Sequence, residues 1–223
     1  MTRAVIFDVD DTLYHEAMFV RGGFLAVGQE LERRGVGEAE PARDVFWEIH
    51  DAEGRDRVFN KAAARLGFDE AWIPELVKIY RGHAPTLSFF EEVPELLGAL
   101  KESYRLGCVT DGWLETQQNK VAALGLEAMV DTVVYSDEFG RAYWKPHARP
   151  FHACCERLGV RPEDAIFVGD NPERDVAGAR NAGLKSVRLR RPEAYFASES
   201  SETADFEIQD LRELPAILSE AFS

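Results

Sequence analysis

Ala4-Val5-Ile6-Phe7-Asp8-Val9-Asp10-Asp11-Thr12-Leu13 is the stretch on which the reading of this 223-residue chain turns. Ala4 to Phe7 is a run apolar on both faces, which suits a strand buried inside a parallel sheet. It ends abruptly in carboxylates. The same design returns further along. Arg105 to Val109 leads into Thr110-Asp111-Gly112, Thr132 to Tyr135 into Ser136-Asp137, and Ala165 to Val168 into Gly169-Asp170-Asn171. A weaker strand is expected over Ser186 to Leu189. Helix-like stretches lie between them, at 94–101, 115–124, 148–158 and 175–182. Strands alternating with helices imply right-handed crossovers and an α/β fold with a doubly wound, mainly parallel sheet. Such sheets bind ligands beyond the carboxyl ends of their strands. Asp8, Asp10, Thr110 and Asp170 all gather there.

The segment from Glu16 to about Ala84 reads differently. Apolar residues recur at helical spacing (Phe19, Phe24, Val27, Leu31; Val45, Phe46, Ile49; Leu66; Ile73, Leu76, Val77), and strand runs are absent. A helical module over 16–85 is therefore expected as an insertion, with residues 1–15 and 86–223 forming the sheet-containing core. Leu211 to Phe222 reads as a last helix on that core, and Ser198 to Thr203 as an exposed low-complexity loop.

Composition narrows the function class. Apolar residues at 45% and charged residues at 30% fit a soluble globular protein. No apolar run approaches the ~20 residues of a membrane helix, and the first residues lack a signal-peptide pattern, so a cytoplasmic location is expected. Cys154 and Cys155 are adjacent, and Cys108 sits in an apolar run. Neither arrangement suggests a disulfide or a zinc site, and the five histidines are scattered. A net charge of −14 argues against a nucleic-acid partner. It leaves an anionic small molecule open, because exposed charges are screened over about 8 Å and local groups decide what a pocket binds.

Strand alternation places Asp8 and Asp10 on one side, so their carboxylates are expected to converge. Two carboxylates at one point repel unless a cation is present. Mg²⁺, with oxygen ligands at about 2.0–2.1 Å, resolves the conflict. An Asp-rich turn is the plain alternative. Asp170 directly follows a buried strand and is favoured as a metal ligand, whereas Asp175 also fits a helix cap. Thr110 and the free N–H groups after it can hold a phosphate oxygen, or Thr110 can simply cap a helix. Lys145 can neutralise phosphate as a point charge, although a single lysine is usually a surface residue.

Taken in order, Asp8-Val9-Asp10-Asp11-Thr12-Leu13, Thr110-Asp111-Gly112, Lys145-Pro146, and Gly169-Asp170 with Asp175 resemble the four motifs of the haloacid dehalogenase superfamily, in its phosphatase branch. Asn171 stands where many relatives carry Ser. The resemblance implies a Rossmann-like core with a helical cap, and a Mg²⁺-dependent phosphatase acting on a small phosphorylated metabolite. It implies that Asp8 is the nucleophile and a metal ligand. Asp10 would protonate the leaving oxygen and then activate water, its backbone carbonyl binding metal. Thr110 and Lys145 would hold the phosphoryl group, with help from the Asp111 N–H. Asp170 would bind metal directly, and Asp175 would bind it through water or orient Lys145. Asp10 argues against carbon–halogen hydrolysis, which needs no proton donor for a poor alkoxide leaving group. A phosphomutase and a non-catalytic phosphometabolite sensor are the remaining alternatives. Arg21, Arg33, Arg34, Arg55, Arg57 and Lys61 are candidate anion contacts in the cap, against a plainer role on solvated faces. Phe19, Phe24 and Trp47 are expected in the cap's own core.

Overall fold

The computed structural model describes residues 2–192, 195–196 and 203–223. The chain divides into two compact units, one of residues 1–15 with 88–223 and one of residues 16–87. In chain order the elements are β1 (Ala4–Phe7), α1 (Glu16–Arg33), α2 (Ala39–Glu53), α3 (Val58–Leu66), α4 (Ile73–Gly82), α5 (Val93–Leu100), β2 (Arg105–Thr110), α6 (Leu114–Leu124), β3 (Thr132–Tyr135), α7 (Ala148–Leu158), β4 (Ala165–Gly169), α8 (Ala177–Ala182), β5 (Lys185–Leu189), β6 (Phe206–Ile208) and α9 (Leu214–Ala221).

The first unit is an α/β fold on a six-stranded sheet in the order β3-β2-β1-β4-β5-β6. Every pairing is parallel. β1 lies inside the sheet with all four residues buried, as its unbroken apolar run requires. The chain leaves β1 towards β2 on one side and returns to β4 on the other. That reversal makes the carboxyl end of β1 the switch point where such sheets open a crevice. Phe7 pairs with Cys108 on β2 and Val168 on β4, so Asp8, Thr110 and Asp170 leave neighbouring strands at nearly the same level. On one face Ile6, Val109, Val134 and Phe167 pack against Phe151, Cys154 and Leu158 of α7 and Ala179 and Ala182 of α8. Phe151 and Phe167 meet edge to face with ring centres 4.8 Å apart, a favoured aromatic geometry.

β6 was not expected. Its three residues, Phe206-Glu207-Ile208, alternate too briefly to stand out, and they pair along β5 at the sheet edge. The helix expected at 175–182 begins instead with a wide turn over Pro172–Val176 and becomes α-helical only at Ala177. Most of the low-complexity stretch at 198–203 lies outside the described residues.

The second unit holds α1 to α4 around its own core. Val20, Phe24, Val27 and Leu31 of α1 meet Phe46 and Ile49 of α2, Val58 and Ala62 of α3, and Leu76 of α4. The 3.6-residue periodicity of α1 places those four residues on one stripe. Phe24 stacks on Phe46 with ring centres 5.3 Å apart. Phe19 is buried against the His83 ring at 4.5 Å, and Trp47 packs on the rim of the core. No described helix is long and apolar enough to cross a membrane.

Candidate active site

The chain turns sharply after β1. The Asp8 N–H continues the ladder by donating to the Val168 carbonyl at 2.9 Å. Asp11 then adopts a left-handed conformation with φ of 52°, uncommon for a residue with a side chain. The Leu13 N–H donates back to the Val9 carbonyl, and Asp10 bridges Tyr14. Strand alternation therefore ends before Asp10. The expectation that the carboxylates of Asp8, Asp10 and Asp170 meet at one point is corrected: the carboxylates that converge are Asp8, Asp170 and Asp175. One oxygen from each lies within 4.8 Å of the others, and all three residues are buried.

Lys145 stands among them. Its ammonium donates to Asp8 Oδ1 at 2.5 Å and to Asp175 Oδ1 at 2.7 Å. Burial by itself would depress the lysine's pKa, but Asp175 and Asp8 outweigh it and push the value above the ordinary lysine range. Burial drives the Asp8 carboxyl well above the usual carboxylate range against the pull of Lys145, and Asp175 and Asp10 add to the rise. Asp170 is pushed up in the same direction, by burial first and then by Asp175 and Asp8.

Asp175 is fixed from two sides. Its Oδ1 accepts from Lys145, and its Oδ2 accepts from the Asn171 N–H at 3.0 Å. Asn171 Oδ1 in turn accepts from the Glu173 and Arg174 N–H groups, both at 3.0 Å. It thus caps the turn that delivers Asp175, a task open equally to Ser. Gly169 is required here, because a Cβ would lie 2.6 Å from Asp175 Cγ and closer still to its Oδ2. Asp111 Oδ1 accepts from the Lys145 backbone N–H at 3.1 Å, tying the loop after β2 to the lysine.

Asp10 lies in a separate network that the sequence reading missed. Its Oδ1 accepts from Tyr14 Oη at 2.5 Å and Lys120 Nζ at 2.7 Å, and its Oδ2 from Gln117 Nε2 at 3.0 Å. Burial would raise the Asp10 pKa, but Lys120 and these hydrogen bonds prevail and hold it below its usual value. Gln117 also donates to Thr110 Oγ1, linking the ends of β1 and β2. Gly112, with φ of 133°, leaves the room that Gln117 fills. A signal was present in the sequence. Gln117 and Lys120 occupy the stripe shared with Val121 and Leu124, where an amphipathic helix should be apolar, and all four are buried.

In the helical unit most of the candidate cations are engaged. Arg33 and Arg34 pair with Glu30, Arg34 also with Glu75 at 2.6 Å, Arg55 with Glu16 at 2.7 Å and Lys61 with Glu53 at 3.3 Å. Arg21 lies over the Trp47 ring at 4.1 Å. Among the described residues Arg57 forms no ion pair. It stands at the rim of a cavity of about 290 Å³ whose wall includes Phe24, His50, Phe59 and Tyr80.

Residues 2–183 match the haloacid dehalogenase-like hydrolase family. Over 99% of its length the chain is 30% identical to a glyceraldehyde 3-phosphate phosphatase of Methanopyrus kandleri, covering 98% of that protein. It is 31% identical to the human N-acylneuraminate-9-phosphatase over 97% of this chain and 93% of that one. Its fold superposes on a crystal structure of a 2-haloacid dehalogenase from Pseudomonas syringae pv. Tomato with a TM-score of 0.69, at 26% identity and 99% coverage of both chains. With two such phosphatases aligned along nearly its whole length, the chain belongs to the haloacid dehalogenase-like hydrolase family, in its phosphatase branch.

Proposed function

We propose that this phosphatase hydrolyses the phosphate ester of a small metabolite through an aspartyl phosphate on Asp8, with Mg²⁺ as its cofactor. The observation that carries the reading is the buried cluster itself: Asp8 held by Lys145 at 2.5 Å and converging with Asp170 and Asp175. Three hard oxygen donors with one ammonium between them fit Mg²⁺ in kind and charge. Asp8 and Asp170 would hold the ion directly, with the Asp10 carbonyl. Asp175, both of whose oxygens are already hydrogen-bonded, serves first to orient Lys145. When bound, the ion supplies positive charge against the oxygens of the phosphoryl group.

The side chains then divide the work. A carboxylate oxygen of Asp8 attacks phosphorus while the bond to the leaving oxygen breaks, and Asp10 gives that oxygen its proton. Asp10, now a carboxylate, takes a proton from water as the water attacks the aspartyl phosphate and frees Asp8. Thr110 and Lys145 hold the equatorial oxygens, with the Asp111 N–H assisting. Uncatalysed phosphate-monoester hydrolysis is so slow that enzymes accelerate it up to ~10²¹-fold, and a covalent intermediate splits it into two easier steps. The helical unit of residues 16–87 serves as the cap that excludes water and selects the metabolite. The relatives, named for a triose phosphate and an acylneuraminate phosphate, support a small phosphorylated substrate. Three buried free cysteines accord with a cytoplasmic setting.

Asp8→Asn tests the assignment. Phosphate release from a panel of phosphorylated metabolites with Mg²⁺ should vanish while the circular dichroism spectrum is kept. Turnover equal to that of the parent would remove Asp8 from the chemistry.

A further inference from the structure

Lys120 is only 3% exposed, and burying an ammonium is costly unless it is well paired. It sits at mid-helix in α6, among residues that face the core, and its ammonium meets the Asp10 carboxylate at 2.7 Å. The three donors around Asp10 are unevenly shared. Oδ1 accepts from both Lys120 and Tyr14, and Oδ2 accepts from Gln117. A carboxylate oxygen offers two lone-pair positions. Those of Oδ1 are filled, and Oδ2 keeps one for a proton. We infer that Lys120 is a positioning residue for catalysis, which with Tyr14 fixes Oδ1 of Asp10 so that Oδ2 is the atom exchanging a proton with the leaving oxygen.

This rests on Asp10 acting as the proton donor, as proposed above. In the first step the bond from Asp8 to phosphorus forms and the bond from phosphorus to the leaving oxygen breaks. The proton on Asp10 Oδ2 passes to that oxygen, which departs as an alcohol. Negative charge appears on the Asp10 carboxylate as the proton leaves, directly beside the Lys120 ammonium. The same pair holds the carboxylate's orientation before and after the transfer. Gln117, bonded to both Asp10 and Thr110, keeps the donor in register with the residue proposed to hold the phosphoryl group.

A leaving group that is stable as an anion needs the proton less. The test therefore compares kcat/KM for 4-nitrophenyl phosphate, a good leaving group, with that for phenyl phosphate, a poorer one. The ratio of the two values is read in the parent, Lys120→Met, Lys120→Arg and Asp10→Ala. In Lys120→Met the ratio should rise by about fivefold or more, part of the roughly 10²–10⁴ that a positioned acid contributes. Lys120→Arg should return it to about the parent value, since the charge is restored. In Asp10→Ala it should rise at least as far as in Lys120→Met. A parental ratio in Lys120→Met together with a raised ratio in Asp10→Ala would make Lys120 a structural ion pair and overturn the inference alone. A parental ratio in Asp10→Ala would remove Asp10 as the proton donor and the inference with it. Loss of folded enzyme lowers both esters alike and leaves the ratio at the parent value, so it cannot mimic the expected result.

Discussion

Removing Mg²⁺ should destabilise this protein by an amount set by the charge in its acidic cluster. Asp8, Asp170 and Asp175 carry three negative charges when ionised, and Lys145 offsets one. Two remain uncompensated in a buried place, which matches one divalent cation. At about 100 times its dissociation constant a ligand specific for the folded state adds about 2.7 kcal/mol, and a chain of this length gains about 2–4 °C per kcal/mol, so Tm should rise by about 5–11 °C. The pH dependence follows with a definite sign. Asp8 and Asp170 have folded-state pKa values raised well above the ordinary 3.8. Such groups favour the fold below the ordinary carboxylate range, and that contribution is lost as pH rises through the raised values. Metal-free protein should therefore lose stability from acidic towards neutral pH, and saturating Mg²⁺ should flatten the slope. Asp170→Asn removes a proposed ligand and a buried charge together. Its metal-free Tm should stay level or rise, while its Mg²⁺-induced shift shrinks to less than about half. Differential scanning fluorimetry with EDTA or MgCl₂ across that pH range measures all of this. A Tm indifferent to Mg²⁺ in the parent, or a full shift kept by Asp170→Asn, would refute the metal site.

Gly169→Ala should lower kcat by at least about tenfold and cost about 1–3 kcal/mol, because its Cβ collides with the Asp175 carboxylate that orients Lys145; steady-state phosphate release and urea unfolding check the two effects. Phe46→Ala should cost about 3–5 kcal/mol, since the ring is fully buried between Phe24 and Phe59; the urea midpoint reports it.

The sheet was legible because its central strands are buried on both faces and so read as unbroken apolar runs. β1, β3 and α7 were expected at the bounds the structure gives. β6 escaped because three residues cannot display a period, and its place beside β5 is set by tertiary pairing. The placing of carboxylates was harder to read. Period two holds only while the chain is a strand, and the turn at Asp11 ends it. Asp8 and Asp10 therefore take different hydrogen-bond partners, whereas Asp175, separated from Asp170 by a wide helical turn, comes back to the cluster. No spacing rule over five residues yields that geometry without knowing the turn. Lys120 and Gln117 were overlooked for a related reason: a long polar side chain on a helix is read as solvated unless its stripe is compared with the core.

That difference in partners gives the site a working logic. Without metal the two carboxyls are shifted in opposite directions, Asp8 up and Asp10 down, so ionising the nucleophile falls to the proposed cation. Here the charges are compensated in two separate groups. Asp8 shares Lys145 and the proposed metal with Asp170 and Asp175, whereas Asp10 pairs with Lys120. Filling the proposed metal site would supply the charge that the first group lacks. With the first group brought to neutrality, the incoming phosphoryl dianion meets neither surplus negative charge nor an unscreened nucleophile. A chain with a net charge of −14 can thus bind an anion, because the field at the carboxyl end of β1 is set by a few buried groups and not by the acidic surface.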